Sequence, residues 1–252
     1  MSNVVAHTTG RLTAAFHDYV SESRRPLVSL AFIAPLLALY EGGVLVLGAQ
    51  AVRNGVDVWL RSLLDHLGLG HYFLLPVLTV ALLLAWHHAT RDPWQVSATT
   101  LYGMLLECGG LAMLLISLGY IQGAAMAALD QAPAVAQIFP AERLRLLGRL
   151  IGFFGAGIYE EVLFRLMLLP AMVGLIALLG VRPTLGNVTA IAATSFIFSM
   201  AHYVGPQGDT LEWYSFAFRF LAGGFFSVLF VYRGFGIAAG THAAYDIIAG
   251  LI

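Results

Sequence analysis

Residues 144–180 read LRLLGRLIGFFGAGIYEEVLFRLMLLPAMVGLIALLG, an apolar stretch with charges in its middle. A membrane-spanning helix needs about 20 mainly apolar residues, because the hydrocarbon core of a bilayer is about 30 Å thick. The stretch is therefore too long for one span, and it predicts two spans broken near Arg165 or Pro170. Its central charges would lie at bilayer depth, where an ionisable group is costly and indicates a function.

The composition of the whole chain points to the same environment. Of its 252 residues, 59% are hydrophobic and 11% are charged, and the mean hydropathy is +0.82. Soluble proteins are about 45–50% apolar and about 25% charged. Inside a bilayer the backbone must satisfy its own hydrogen bonds, which favours helices. The sequence therefore predicts an all-α protein, a polytopic bundle of seven to eight transmembrane helices with a polar intramembrane active site.

Seven apolar segments carry this prediction, and the segment at 144–180 counts once or twice. We divide the chain into a polar N-terminal arm at 1–25, N-terminal transmembrane helices at 26–143 and a helical catalytic core at 144–252. A polar interval around Asp130 precedes that core. The remaining predicted spans are Leu27–Leu47, Tyr72–Ala89, Ala98–Ile121, Val188–Val204, Trp213–Tyr232 and Phe235–Ile252.

Net charge and cysteine content exclude several kinds of site. The formal net charge is −1 and no basic stripe is present, which argues against a nucleic-acid partner. The single cysteine, Cys108, excludes a disulfide within the chain and any CxxC metal site. Its apolar surroundings favour a small buried side chain.

The first charged motif is EEVLFR at 160–165. Helical spacing places Glu161 and Arg165 one turn apart on one face, where they can form an ion pair. Glu160 lies about 100° round the helix and lacks that partner, so it is free to act as a general base. The alternative is an ordinary salt bridge at a solvated helix end, which the apolar flanks disfavour.

Two further apolar segments each carry a histidine. FIFSMAH at 196–202 places Phe198 one turn before His202, where its ring can pack against the imidazole. GTHAAYD at 240–246 spaces His242 and Asp246 by four residues, so both face the same side of a helix. Small residues around this pair allow neighbouring helices to approach closely. Taken alone, each motif is also explained by a structural histidine or a structural His–Asp hydrogen bond.

In this order, EExxxR, FxxxH and HxxxD resemble the motifs of the CPBP intramembrane proteases. That family includes the type II CAAX prenyl endopeptidases and the bacteriocin-processing and Abi-type proteins, and the resemblance covers about residues 145–250. It implies that the first glutamate and the FxxxH histidine activate a water for attack on a peptide carbonyl, while the last motif stabilises the oxyanion. On this chain those residues are Glu160 and His202, then His242 and Asp246, with Glu161, Arg165 and Phe198 in support.

Asp246 departs from the pattern of the family, in which asparagine often occupies this position. An amide donates a hydrogen bond to an oxyanion directly, whereas an ionised aspartate would repel it. We therefore expect Asp246 to orient His242, as a carboxylate fixes the tautomer of a catalytic imidazole.

Two alternatives stay open at this point. Zinc is compatible with the nitrogen and oxygen ligands that Glu160, His202, His242 and Asp246 offer, although the preferred mechanism requires no cofactor and no metal. The same charges would also serve as a polar network in a non-enzymatic scaffold, an immunity protein or a transporter.

Other polar groups within the apolar segments are less informative. Glu41 and Glu107 either line one water-filled cavity or bond to neighbouring helices. Arg219 would snorkel or pair with Glu212. The adjacent histidines His87 and His88 are expected at the membrane interface.

The expected partners are membrane lipid and a membrane-anchored protein or peptide substrate. Such a substrate would be a CAAX-like tail, a C-terminal sorting segment or a peptide precursor. The basic residues other than histidine are all arginine, and together with the small size of the chain this favours a prokaryotic cell membrane.

Overall fold

The computed structural model describes residues 2–48, 51, 53–127, 143–205 and 208–251. Helices and their connections make up this part of the chain, and it contains no strand, which confirms the all-α prediction. The interval around Asp130 lies outside the described residues. The helices are α1 (Ser2–Ser23), α2 (Pro26–Leu47), α3 (Gly55–His66), α4 (Leu74–Thr90), α5 (Ala98–Ala127), α6 (Arg143–Gly155), α7 (Leu169–Leu178), α8 (Pro183–Ala201), α9 (Trp213–Arg233) and α10 (Phe235–Ala249).

The apolar helices coincide with the predicted spans, and the protein is an integral membrane helix bundle. α4 is a shorter apolar helix of 17 residues, and α10 has 15 residues. Among the described residues, five helical segments are long and apolar enough to cross a bilayer: Pro26–Leu47, Ala98–Met126, Leu147–Leu178, Pro183–Ala201 and Trp213–Arg233.

Large apolar side chains cover the outer faces of these helices. Val46 on α2 is 85% exposed and Leu178 on α7 is 86% exposed, while Leu105 and Leu106 on α5 are exposed by 60% and 61%. Contiguous apolar surface of this kind is avoided in soluble proteins. A surrounding bilayer removes the cost, because lipid tails are as apolar as these side chains.

α6 and α7 belong to one continuous helical segment, so the predicted break near Arg165 or Pro170 is wrong. The chain between them forms π-helical turns at Ala156–Glu160 and Val162–Leu168. Pro170 lacks an N–H group, and in an α-helix its ring would clash with the carbonyl four residues earlier. π-helical turns shift the backbone hydrogen bonds by one residue, and such local adjustments let a helix continue through a proline inside a bilayer.

α10 lies at the centre of the bundle. Every residue from Phe235 to Ala243 is buried, and α10 packs against α2, α5, α9 and the π-helical turn Ala156–Glu160. Gly157 in that turn makes the approach possible, since a Cβ atom there would lie 2.7 Å from the Cβ of Ala243. The predicted close packing around the HxxxD motif is therefore confirmed.

Buried ion pairs fasten the short helix α3 to α2. The guanidinium of Arg61 lies 2.6 Å from Asp57 Oδ1 and 2.8 Å from Glu41 Oε1. The hydroxyl of Tyr40 donates to the other oxygen of Asp57 at 2.8 Å, and the hydroxyl of Tyr159 donates to Glu41 Oε1. Glu41 therefore bonds to neighbouring helices, and it ties α2 to the residue that precedes the EExxxR motif.

Glu107 fastens the N-terminal helix to the bundle in a similar way. Both of its oxygens lie 2.6 Å from guanidinium nitrogens of Arg233, at the end of α9. The hydroxyl of Tyr19 on α1 donates to the same carboxylate at 2.5 Å. Burial raises the pKa of this phenol above its usual range, and the bond to Glu107 raises it further.

The structure also shows how far Cys108 and the two adjacent histidines are buried. Cys108 is buried, as expected, with its thiol 3.6 Å from the carbonyl oxygen of Ile237. His88 is exposed. His87 is fully buried and lies edge-on to the ring of Trp94 at a centroid distance of 4.7 Å. This side of α4 therefore packs inward, and the interfacial position of the two histidines stays a prediction.

We expect Arg61→Met to lower the free energy of unfolding by about 3 kcal/mol or more, the usual effect of removing one partner from a buried ion pair. The substitution keeps most of the side-chain volume but removes the arginine partner of buried Glu41 and one of the two arginine partners of Asp57. Thermal unfolding in detergent measures the effect. Arg182→Met is the control, because Arg182 is exposed at the start of α8. Equal unfolding midpoints for the two variants would show that the ion pairs do not hold α3.

Candidate active site

Three separate helical elements carry these predicted residues, and a fourth joins them. Glu160 ends the first π-helical turn, and His202 caps the C-terminus of α8. His242 and Asp246 lie one turn apart on α10. The fourth element is the start of α3, which the sequence did not implicate.

Glu161 is the buried anchor of the cluster. Its Oε1 atom accepts a hydrogen bond from Arg165 at 3.0 Å and lies 2.7 Å from Nδ1 of His242. Neither Glu161 nor Arg165 is more than 1% exposed. The ion pair predicted from the i, i+4 spacing is confirmed, and it includes the α10 histidine as a third member.

Aromatic faces and a backbone carbonyl complete the surroundings of Arg165. Its guanidinium carbon lies 4.4 Å from the ring centroid of Phe198 and 5.4 Å from that of Phe226. Its Nη2 donates to the carbonyl of Gly223 at 3.1 Å. Cation–π contacts gain strength where water is excluded, so α8 and α9 both help to stabilise the buried cation.

Phe198 also contacts both histidines, which confirms its predicted packing. Its ring centroid lies 5.0 Å from that of His202 and 6.0 Å from that of His242. His242 is stacked on the other side against Phe226, at 4.4 Å and an interplanar angle of 13°. The imidazole of His242 is therefore held both by its hydrogen bond and by its two aromatic neighbours.

Glu160 faces in a different direction from Glu161 and has different partners. Its Oε1 accepts a hydrogen bond from Nδ2 of Asn54 at 2.7 Å. Its Oε2 lies 4.0 Å from Nε2 of His202 and 3.8 Å from Nε2 of His242. Both separations exceed a hydrogen bond, and among the described residues this buried oxygen has no hydrogen-bond partner.

The hydrogen bonds of the two imidazoles define which nitrogen faces Glu160. Nδ1 of His202 lies 2.9 Å from the carbonyl oxygen of Phe198, which can only accept. Nδ1 of His242 likewise points to the carboxylate of Glu161. Nδ1 is therefore the donor in both rings, and Nε2 of each is directed at Glu160. The His202 side chain is 26% exposed and that of His242 is 6% exposed.

Asp246 does not hold His242 in the way that the sequence suggested. Its Oδ2 lies 3.7 Å from Nε2 of His242, beyond hydrogen-bonding distance. Glu161 makes the orienting hydrogen bond instead, at Nδ1. The i, i+4 spacing correctly placed Asp246 beside the ring but could not reveal a closer carboxylate from another helix.

A cavity of about 310 Å³ leads to this cluster. Its volume is at the lower end of the range of ligand pockets. The start of α3 and the end of α8 form its walls, and neither Glu41 nor Glu107 lines it. Its lining includes Asn54, Trp59, Glu160, Phe164, His202 and Asp209.

The rim of the cavity carries an ion pair between Arg219 and Asp209. Sequence analysis had offered Glu212 as the partner of Arg219, and that choice is wrong. Asp209 precedes α9, and its backbone N–H donates to the carbonyl of His202 at 2.9 Å. This contact holds Asp209 beside His202.

The spacing of the ligand atoms in this cluster determines whether zinc fits between them. Tetrahedral zinc with bonds of about 2.0 Å holds its ligand atoms about 3.3 Å apart. Oε2 of Glu160 lies 4.0 Å from Nε2 of His202 and 3.8 Å from Nε2 of His242, and the latter atom lies 3.7 Å from Oδ2 of Asp246. Within the described residues, no group of three or more His, Cys, Asp or Glu side chains is arranged to hold a metal ion. The cluster as it stands does not fit a zinc centre, so no step below is derived through a metal.

Two residues of the cluster were missed by sequence analysis. Asn54 sits immediately before a helix start and is typical of an N-cap, but nothing in the sequence links it to position 160. Phe226 is one aromatic residue among several in α9, and its stacking on His242 depends on how α9 and α10 pack.

Comparison with known families supports the motif assignment. Residues 142–248 match the family described as type II CAAX prenyl endopeptidase Rce1-like. The match confirms the resemblance inferred from EExxxR, FxxxH and HxxxD, and it includes all the motif residues. The family is one of membrane proteases. No curated protein and no solved structure matched the chain.

We expect the two adjacent glutamates to respond oppositely to substitution by glutamine. Glu161→Gln removes the counter-ion of buried Arg165 and should lower the free energy of unfolding by about 3–5 kcal/mol. Glu160→Gln keeps an oxygen for Asn54 and removes an incompletely bonded buried carboxylate, so its stability should be unchanged or higher. Thermal unfolding of both variants in detergent measures the difference. A larger loss of stability in Glu160→Gln would contradict this assignment of roles.

Proposed function

Because residues 142–248 match a family of membrane proteases, we propose that this protein is an intramembrane endopeptidase. In this proposal Glu160 and His202 activate a water that cleaves a peptide bond of a membrane-associated substrate. The observation that carries it is the Oε2 atom of Glu160, a residue that lines the cavity. This oxygen is buried and is faced by two imidazole nitrogens that do not bond to it.

The distances around Glu160 suit an intervening water. A gap of 4.0 Å between Oε2 and Nε2 of His202 is too long for a direct hydrogen bond and short enough for one water to bond to both. Nδ1 of neutral His202 carries the hydrogen, so Nε2 is an acceptor. The water donates one hydrogen to the carboxylate and one to the imidazole, and its lone pairs are left to attack a carbonyl carbon.

The proposed reaction then balances through Glu160. The water oxygen bonds to the peptide carbonyl carbon while its proton passes to Glu160, and the carbonyl oxygen becomes an oxyanion. When the C–N bond breaks, the protonated Glu160 returns that proton to the departing amine. One carboxylate thus acts as general base and then as general acid.

His242 is placed to stabilise the oxyanion. Its Nδ1–H is engaged by Glu161, so in the imidazolium form Nε2–H remains to donate. Glu160, Glu161 and Asp246 place carboxylate oxygens within 3.8 Å of the ring nitrogens and supply the negative charge that an imidazolium requires. A donor aimed at a developing oxyanion typically contributes about 2.7–4 kcal/mol. The carbonyl of the scissile bond must therefore reach Glu160 before His242 can donate to its oxygen.

The substrate in this proposal is a membrane-anchored protein or peptide with a segment that enters the cavity in extended form. A CAAX-like tail, a C-terminal sorting segment or a peptide precursor each has this property. The lysine-free composition and the small size of the chain favour a prokaryotic cell membrane as its location.

Cells that produce Glu160→Gln in place of the wild-type protein should accumulate uncleaved membrane-anchored precursors. The variant keeps the fold but cannot accept the proton of the water. Quantitative proteomics of protein termini in the membrane fraction measures the change, and Asn187→Ser, at an exposed position of α8, is the control. Identical termini in the Glu160→Gln and wild-type membranes would favour a non-enzymatic role for the polar network.

Cleavage by the purified protein should persist in the presence of EDTA or 1,10-phenanthroline. The reason is that the nitrogen and oxygen atoms around Glu160 are spaced for an intervening water rather than for direct ligation of zinc. The measurement is the rate of cleavage of a precursor identified by its termini. Loss of activity that added zinc restores would replace the glutamate mechanism by a metal-dependent one.

A further inference from the structure

We propose that Asn54 is a positioning residue for Glu160, supplied by a part of the chain outside the residues that match the protease family. The inference rests on the proposed function, because it assigns to Asn54 the task of holding one oxygen of the general base. The contact between Asn54 and Glu160 is itself measurable without any substrate.

The orientation of the Asn54 amide is fixed by its own helix. Its Oδ1 accepts hydrogen bonds from the backbone N–H groups of Val56 at 2.9 Å and Asp57 at 3.4 Å. These bonds make Asn54 the N-cap of α3. A flipped amide would place NH₂ against two N–H donors. Nδ2 must therefore point away from α3, and it lies 2.7 Å from Oε1 of Glu160.

The start of α3 is held firmly enough for this bond to set a position. Asp57 in its first turn is fully buried and binds the hydroxyl of Tyr40 and the guanidinium groups of Arg53 and Arg61. Arg61 also donates a hydrogen bond to Glu41. Glu41 accepts another from the hydroxyl of Tyr159, the residue immediately before Glu160. The donor and the carboxylate are thus connected to the same buried network.

The bond divides the two oxygens of Glu160 between two tasks. Oε1 is occupied by Asn54, and Oε2 is left to face the two histidines. A donor to the charged form of a carboxylate favours that form. Asn54 therefore contributes to the ionised form of the general base, and its bond to Oε1 fixes which oxygen receives the proton of the water.

Substitutions at position 54 separate this task from helix capping. Serine and aspartate are both good N-cap residues, so Asn54→Ser and Asn54→Asp keep α3 capped. Neither variant donates from the position of Nδ2, and aspartate adds a like charge beside Glu160. Asn187→Ser makes the same chemical change at an exposed position of α8 and serves as the matched control.

The first measurement is kinetic, on full-length protein and a precursor identified by its termini. Asn54→Ser should lower kcat about tenfold to hundredfold, the range of a hydrogen bond to a charged group, and leave KM close to that of the wild type. The acid limb of the pH–rate profile should move to higher pH, farther for Asn54→Asp than for Asn54→Ser. A profile that stays in place, with kcat equal to that of Asn187→Ser, would overturn the proposal.

The second measurement is a double-mutant cycle in thermal stability, with Asn54→Ser introduced into the wild type and into Glu160→Gln. Asn54→Ser should lower the stability of the wild type by more than it lowers the stability of the Glu160→Gln variant. This difference should vanish at acid pH, where Glu160 is protonated. Additive effects at every pH would overturn the assigned contact. If coupling is found but the wild type cleaves nothing, the proposed proteolysis fails while the Asn54–Glu160 contact stands.

Discussion

A single carboxylate oxygen, Oε1 of Glu161, accepts hydrogen bonds from both Arg165 and His242, and the geometry of the site depends on it. An arginine in a low-dielectric interior requires a counter-ion close by. Glu161 supplies the charge, and Gly223 on α9 accepts a further bond. The same carboxylate reaches α10 through His242. The buried Glu161–Arg165 pair therefore links α9, α10 and the helical segment that carries both residues.

The neighbouring glutamates Glu160 and Glu161 differ in their hydrogen-bond partners. Glu161 bonds Arg165 and His242 through one oxygen, whereas Glu160 bonds the neutral amide of Asn54. Each carboxylate keeps one oxygen without a hydrogen-bond partner among the described residues. An incompletely bonded buried carboxylate costs free energy, and such costs are found at functional sites. The π-helical turns on either side of Glu161 are a further departure from regular structure at the same place. These turns lie where two adjacent side chains are directed to different partners.

Much of this arrangement follows from sequence, and the parts that do not follow have a common cause. Hydrophobic segments and i, i+4 spacings predicted the helices, the Glu161–Arg165 pair and the placement of His242 beside Asp246, because these depend on local periodicity. The uninterrupted passage through Pro170 was missed because π-helical turns leave no compositional signal. The bonds of Glu161 to His242 and of Arg219 to Asp209 were missed because they join residues that only tertiary packing brings together.

The motif-bearing residues are not a self-contained unit, because helices outside the matched region pack against them. α10 carries His242, yet its buried face packs against α2 and α5, both outside the matched region 142–248. The amide that bonds Glu160 comes from the start of α3, and Glu41 on α2 bonds the hydroxyl of Tyr159. The three motifs thus supply most of the cluster, whereas the preceding helices enclose it and contribute one donor to Glu160. Sequence changes in these helices would therefore alter the surroundings of Glu160 while the motifs themselves stayed the same.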